Sequence, residues 1–112
     1  MNEFLLFFRQ PHYEYGQASE AQLLRLGKRW QDWINSLVAR GKLVNHGQRL
    51  SMDGKVLRPG GVISDGPFTE IREKLGGFIT VRAEDLEEAT TLAHGCPSLD
   101  EGGSVEIRPI FE

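Results

Sequence analysis

Phe4-Leu5-Leu6-Phe7-Phe8 is the run on which the fold turns. It is short, rich in aromatic side chains and closed by Pro11, so it reads as a strand. Successive side chains of a strand point to opposite faces, which puts Phe4, Leu6 and Phe8 on one face and Leu5 and Phe7 on the other. Neither set is polar. Both faces of this strand therefore need cover.

Outward from it, a loop over residues 12–18 leads to Ser19-Glu20-Ala21-Gln22. This is a capping-box pattern, in which the hydroxyl accepts from a first-turn amide and the Gln side chain reaches back. Leu23, Leu26, Trp30, Trp33, Ile34, Leu37 and Val38 follow at steps of three and four, the stripe of an amphipathic helix. Arg25, Lys28, Arg29, Gln31 and Asp32 fall largely outside that stripe, and Gly41 is placed to end the helix. Residues 42–52 read as a second strand and Asp53-Gly54 as a hairpin turn. Lys55-Val56-Leu57-Arg58 starts the return strand, which Pro59-Gly60-Gly61 breaks before Val62-Ile63-Ser64. Residues 65–77 show no clear period beyond one turn around 70–74.

Phe78-Ile79-Thr80-Val81-Arg82 is a further strand. Residues 84–93 read as a short helix with Glu84, Asp85, Glu87 and Glu88 near the positive end of its dipole. Leu86, Ala89, Leu92 and Ala93 supply its buried face, and Gly95 and Pro97 end it. Gly102-Gly103 turns into a last strand over 104–110, where Val105 and Ile107 alternate with Glu106 and Arg108. Pro109 makes the end of that strand a poor ladder donor.

The order strand, helix, strand, strand, helix, strand is the ferredoxin-like βαββαβ arrangement of the α+β class. It predicts one domain over residues 1–112, with a four-stranded antiparallel sheet and both helices on one face. The opposite face stays open although the first strand is apolar on both sides. Burying ~400 Å² there at ~25 cal/mol/Å² is worth about 10 kcal/mol before association costs. A second copy is the simplest cover, so the expectation is a homodimer whose sheets pack face to face into a dimeric α+β barrel.

With 112 residues, 39% of them apolar and 26% charged, the chain can build one core. No apolar run reaches the roughly 18 residues that a membrane span needs. The charge is uneven: residues 1–50 carry seven basic and four acidic side chains, residues 51–112 six and twelve. No basic run is longer than Lys28-Arg29, so a phosphate backbone has no stripe to follow and nucleic acid is not an expected partner. The lone Cys96 has no bridge partner, which suggests a reducing compartment. It lies where a helix ends, not at the helix N-terminus that would activate a thiol. The opening Met1-Asn2-Glu3-Phe4 lacks the basic start of a signal peptide, so a cytoplasmic location is expected.

Ser64-Asp65-Gly66-Pro67-Phe68 adds a recognisable signature. Together with Glu70, Lys74-Leu75-Gly76-Gly77-Phe78, Asp85-Leu86-Glu87-Glu88-Ala89 and Gly103-Ser104-Val105-Glu106-Ile107-Arg108-Pro109, it closely resembles the DGPF group of YCII-related proteins. The resemblance runs over nearly the whole chain in the same order and spacing. It implies a dimeric ferredoxin-like barrel with an active-site cleft, but no settled reaction. One departure stands out. Such proteins usually carry a histidine on the first helix, about eleven residues before the glycine that ends it, often with an aspartate two before that glycine. Counting back from Gly41 puts Trp30 and Ala39 at those positions. Indole offers only an N–H donor and cannot serve as a general base.

Asp65 is the leading candidate for chemistry. Pro67 fixes one backbone angle and Gly66 permits close approach, which would hold a carboxylate as general base or ligand acceptor. The competing reading is a structural Asx-turn to the following amides. His46, in Val44-Asn45-His46-Gly47-Gln48, lies on a strand that the resemblance places beside the cleft, and imidazole as a class exchanges protons near neutrality; a surface or interface histidine is the alternative. His12 and His94 have less support. Arg9 or Arg49 would pair with an anionic substrate. Trp30 and Phe68 would bound the pocket, with Trp30 favouring a planar or apolar ligand; its bland reading is core.

No metal or cofactor is expected, since the three histidines lack ligand spacing and the cysteine has no Cys partner. Two functional readings stay open. One is a small-molecule-binding dimeric barrel acting as a cofactor-free enzyme, in which Asp65 accepts a proton and His46 assists. The other is a non-catalytic ligand-binding or regulatory partner, which the tryptophan at the histidine position favours.

Overall fold

A computed structural model describes residues 2–11, 19–50, 54–65, 73–100 and 102–111. Their elements run β1 (Asn2–Pro11), α1 (Glu20–Ala39), β2 (Leu43–Arg49), β3 (Lys55–Arg58), β4 (Val62–Asp65), β5 (Glu73–Ala83), α2 (Leu86–Ala93), α3 (Pro97–Asp100) and β6 (Ser104–Pro109). β1 lies inside a four-stranded sheet of order β2-β5-β1-β6, antiparallel throughout. Setting aside β3 and β4, this is the ferredoxin-like order, with the first strand between the third and the fourth.

The alternation read from the sequence sets the core. Phe4, Leu6 and Phe8 are buried, beside Ile79, Val81 and Ala83 of β5. Trp33 and Leu37 of α1 and Ala89, Leu92 and Ala93 of α2 close over them. Leu5 and Phe7, on the other face, are half-buried and stand opposite Thr80 and Phe78.

Helix ends follow their signals. The Ser19 hydroxyl accepts from the Gln22 amide, while the Gln22 side chain accepts from the Ser19 amide. At the other end, Gly41 takes φ +69°, and Gly41 and Lys42 donate to Val38 and Leu37 carbonyls at 3.0 and 2.9 Å. That is the Schellman closure, which a left-handed residue makes possible. Asp85 caps α2 by accepting from the Glu88 amide. Lys42 donates to Glu88 at 3.0 Å, and that hydrogen bond holds the Glu88 carboxyl below its ordinary range.

Four readings need correction. Lys55–Arg58 does not return along β2; it pairs with Val62–Asp65 as a separate two-stranded sheet. Gly60 at φ +86° and Gly61 at +80° double the chain back there, so the turn falls at Pro59-Gly60-Gly61. Asp53 lies outside the described residues. β2 pairs instead with β5, which starts at Glu73, earlier than its apolar pattern suggested. The α1 stripe is also narrower than its spacing implied: Leu23 is 42% and Val38 53% exposed. On α2, Leu86, read as part of the buried face, is the first residue of the helix and is 48% exposed. Among the described residues, no helix is long and apolar enough to cross a membrane.

Leu6 has no exposure and Leu57 71%. Truncation of Leu6 to alanine is expected to cost about 2–5 kcal/mol through lost contacts and a residual cavity. Leu57→Ala is expected to stay within about 0.5 kcal/mol. Urea denaturation of the two variants measures the difference.

Candidate functional site

α1 is tied to the sheet through three aromatic rings. Phe8 meets Trp30 at 5.0 Å between centroids and Trp33 at 5.7 Å, and the two indoles are 5.7 Å apart, all edge to face. Such pairs add about 0.5–1.5 kcal/mol beyond the area they bury. Trp33 also donates its indole N–H to the Leu92 carbonyl at 3.2 Å. Gly95 lies so close to that ring that a β-carbon would come within 2.9 Å of it. The buried contacts of α1 are therefore at Trp33 and Leu37, in its second half.

The first half stands clear of the sheet. Between it and the β2–β5 edge lies a cavity of about 840 Å³. Leu23, Leu26, Gly27, Trp30 and Ile34 form the helix wall; His46, Gln48, Arg49 and Leu50 line it from β2 and the residue after it; residues 76–79 contribute from β5. The volume lies within the range of small-molecule sites, which are mostly apolar with a few placed polar groups.

A bulge aims the polar groups. The β2–β5 register slips between Asn45 and Gln48, where His46 and Gly47 together stand against Ile79 alone, one residue more than β5 supplies. The Asn45 side chain accepts from the Gly47 amide at 2.6 Å, and Gly47 adopts φ +63°. A β-carbon on Gly47 would fall 1.7 Å from the Phe78 carbonyl oxygen. Glycine is thus required there for both conformation and space. Bulges of this kind re-aim a side chain, and here the re-aimed segment carries His46.

Of the six residues singled out from sequence, Trp30, His46 and Arg49 line this one cavity. Arg9 does not. It pairs with Glu106 at 3.1 Å, and Glu106 also meets Arg108 at 3.5 Å, a half-exposed cluster at the β1–β6 side of the sheet. The backbone of Asp65 ends β4, opposite Lys55; the placement of its side chain, like Phe68, lies outside the described residues. Gln48, Leu50 and Gly27 line the cavity without having been singled out. A signal for Gly27 was present, since Leu23, Gly27, Trp30 and Ile34 follow one another at helical spacing. Among the described residues, no three His, Cys, Asp or Glu side chains converge as metal ligands would.

Cys96 is 1% exposed, and burial pushes its thiol up to about 12. It is packed in the core, away from the cavity lining.

The sequence model of the YCII-related domain matches residues 11–112. No curated protein matches the chain.

Gly47→Ala is expected to lose more than about 2 kcal/mol, since both the turn and the strand contact must yield; thermal melting measures this. The Cys96 thiol is expected to react with iodoacetamide at pH 8 about a thousandfold more slowly than in urea, because raising the value from 9.0 to about 12 depletes thiolate by three decades. The same shift sets a sign for stability. The unfolded thiol ionises first, so the Cys96 contribution is intact below pH 9 and drains away between 9 and about 12.

Proposed function

The chain belongs to the YCII-related family, and from that premise we propose that it binds a small organic molecule in the cavity between the first half of α1 and the β2–β5 edge. What supports this above all is the lining: apolar side chains around Trp30, with His46, Gln48 and Arg49 together on β2. An apolar hollow with a few convergent polar groups is the usual form of a ligand site. Binding needs no metal or cofactor in this reading.

Two finer features belong to the proposal. The protein works as a homodimer whose open sheet faces pack together, because Leu5, Phe7 and Phe78 form an apolar patch on the face away from the helices. Turnover, where it occurs, is acid–base chemistry of the DGPF type, with Asp65 accepting a proton and His46 assisting. The replacement of the helix histidine by Trp30 supports the second reading, a ligand-binding or regulatory partner without catalysis.

A panel of organic acids, aromatic amines and neutral aromatic compounds, followed by thermal shift and by mass detection of products, tests this. Expected is at least one compound that raises the melting temperature of the wild type and not of Ile34→Trp, in which a bulkier ring obstructs the cavity. At a hundred times its dissociation constant, such a ligand adds about 2.7 kcal/mol. Product that vanishes in Asp65→Asn supports the enzyme; a shift without product supports the binder. A panel that stabilises neither protein, or both alike, defeats the cavity assignment. Sedimentation giving a monomer at micromolar concentration defeats the dimer.

A further inference from the structure

His46 sits at the apex of a closed turn inside β2. The Asn45 side chain accepts from the Gly47 amide at 2.6 Å, which makes His46 the middle residue of an Asx-turn. On its other side Gly47 is pinned to β5, because the Phe78 carbonyl lies where a β-carbon would stand. Together the two contacts fix the backbone that carries the imidazole. Neither one packs a side chain into the core, since Asn45 and His46 are both exposed.

The ladder register tells which way the apex faces. His46 and Gly47 stand against Ile79, and Ile79 pairs with Leu6, both buried beneath the helices. His46 is therefore on the helix side of the sheet, where it lines the hollow. Gln48 pairs with Phe78, and Phe78 with Phe7, on the face away from the helices. Arg49 returns to the helix side opposite Gly77 but is already engaged within the chain. Among the described residues, the His46 side chain makes no hydrogen bond or ion pair. The helix wall of the same hollow is apolar, formed by Leu23, Leu26, Trp30 and Ile34.

We infer that Asn45 and Gly47 are positioning residues that hold His46 at the hollow, where its imidazole takes the single hydroxyl of an otherwise apolar, uncharged aromatic ligand. This rests on the cavity being a ligand site. Neutral imidazole offers one donor and one acceptor, and a hydroxyl offers the same pair. The body of such a ligand lies against the apolar wall, and one placed polar group fixes its orientation.

The probes are 2-naphthol, 2-methylnaphthalene, which keeps the shape with a methyl in place of the hydroxyl, and the anion 2-naphthoate. Their affinities for wild type, His46→Leu, Asn45→Ala and Asn45→Asp are measured by calorimetry, with thermal melting of each unliganded protein. The ratio of naphthol to methylnaphthalene affinity is expected to fall about fivefold or more in His46→Leu, the worth of one net hydrogen bond. In Asn45→Ala the ratio is expected to fall about threefold or more, while methylnaphthalene binds as it does to wild type. Asn45→Asp keeps the acceptor oxygen and is expected to restore the ratio. Naphthoate is expected to bind the wild type more weakly than naphthol.

A lost preference with the apolar affinity intact, rescued by the conservative variant, is not what a merely structural Asn45 would give. A ratio unchanged in His46→Leu overturns the contact. A ratio that falls in His46→Leu but not in Asn45→Ala overturns the positioning role. Naphthoate binding more tightly than naphthol overturns the uncharged class, as does a wild type that binds neither neutral probe. The cavity reading fails on a separate result, stabilisation of Ile34→Trp by the same members of the broader panel that stabilise wild type.

Discussion

Phe8 holds the molecule together at a single crossing. Its ring sits edge-on to Trp30 and Trp33, and through them the central strand carries the one long helix. Because Trp33 is further held by Leu92 and crowded by Gly95, α1 is clamped between β1 and the end of α2. The clamp acts on the second half of the helix. A 20-residue helix is about 30 Å long, and its first half reaches past the clamp. The hollow beneath that half follows from this lever, and Trp30 belongs both to the clamp and to the cavity wall.

Edge strand β2 supplies the polar side of the hollow, and it does so through an irregularity. A regular ladder would alternate residues 45–49 between the two faces. The Asn45–Gly47 closure instead sets His46 and Gly47 against the single residue Ile79, and Gly47 lets the backbones touch where any side chain would collide. His46, Gln48 and Arg49 consequently meet on one cavity. Local strain is tolerated here because β5 is anchored on its other side along the whole of β1. Bulge, interior helix glycine and exposed leucines gather around the same hollow, while Phe4, Leu6, Ile79 and Val81 make an ordinary core. Local rules broken in one place and kept elsewhere mark a functional region in proteins generally.

The family match over residues 11–112 agrees with the resemblance read from Asp65-Gly66-Pro67-Phe68 and the later motifs. Half of the candidate residues, Trp30, His46 and Arg49, prove to be neighbours. His46 and Arg49 were legible because both sit on one short strand. Trp30 was legible because a helical stripe names its face. Arg9 was not, since its partner Glu106 is close only through strand pairing between distant parts of the chain. Leu23 and Val38 were read as core because periodicity reports which side chains share a face. It does not report how far along the helix that face stays covered.

From the sequence alone came the βαββαβ plan of the main sheet, the faces of β1, the two ends of α1, the α+β class and the family. These depend on interactions a few residues apart: alternation, capping and glycine at a helix end. What tertiary structure alone decided was which strands pair and where the hollow lies. The Asp53-Gly54 signal was local and plausible, yet Pro59-Gly60-Gly61 took the turn and β5 took the place beside β2. Pairing is a competition among segments far apart in the chain, settled by which arrangement buries the most apolar surface. A cavity is the space that competition leaves unfilled, and no residue encodes it singly.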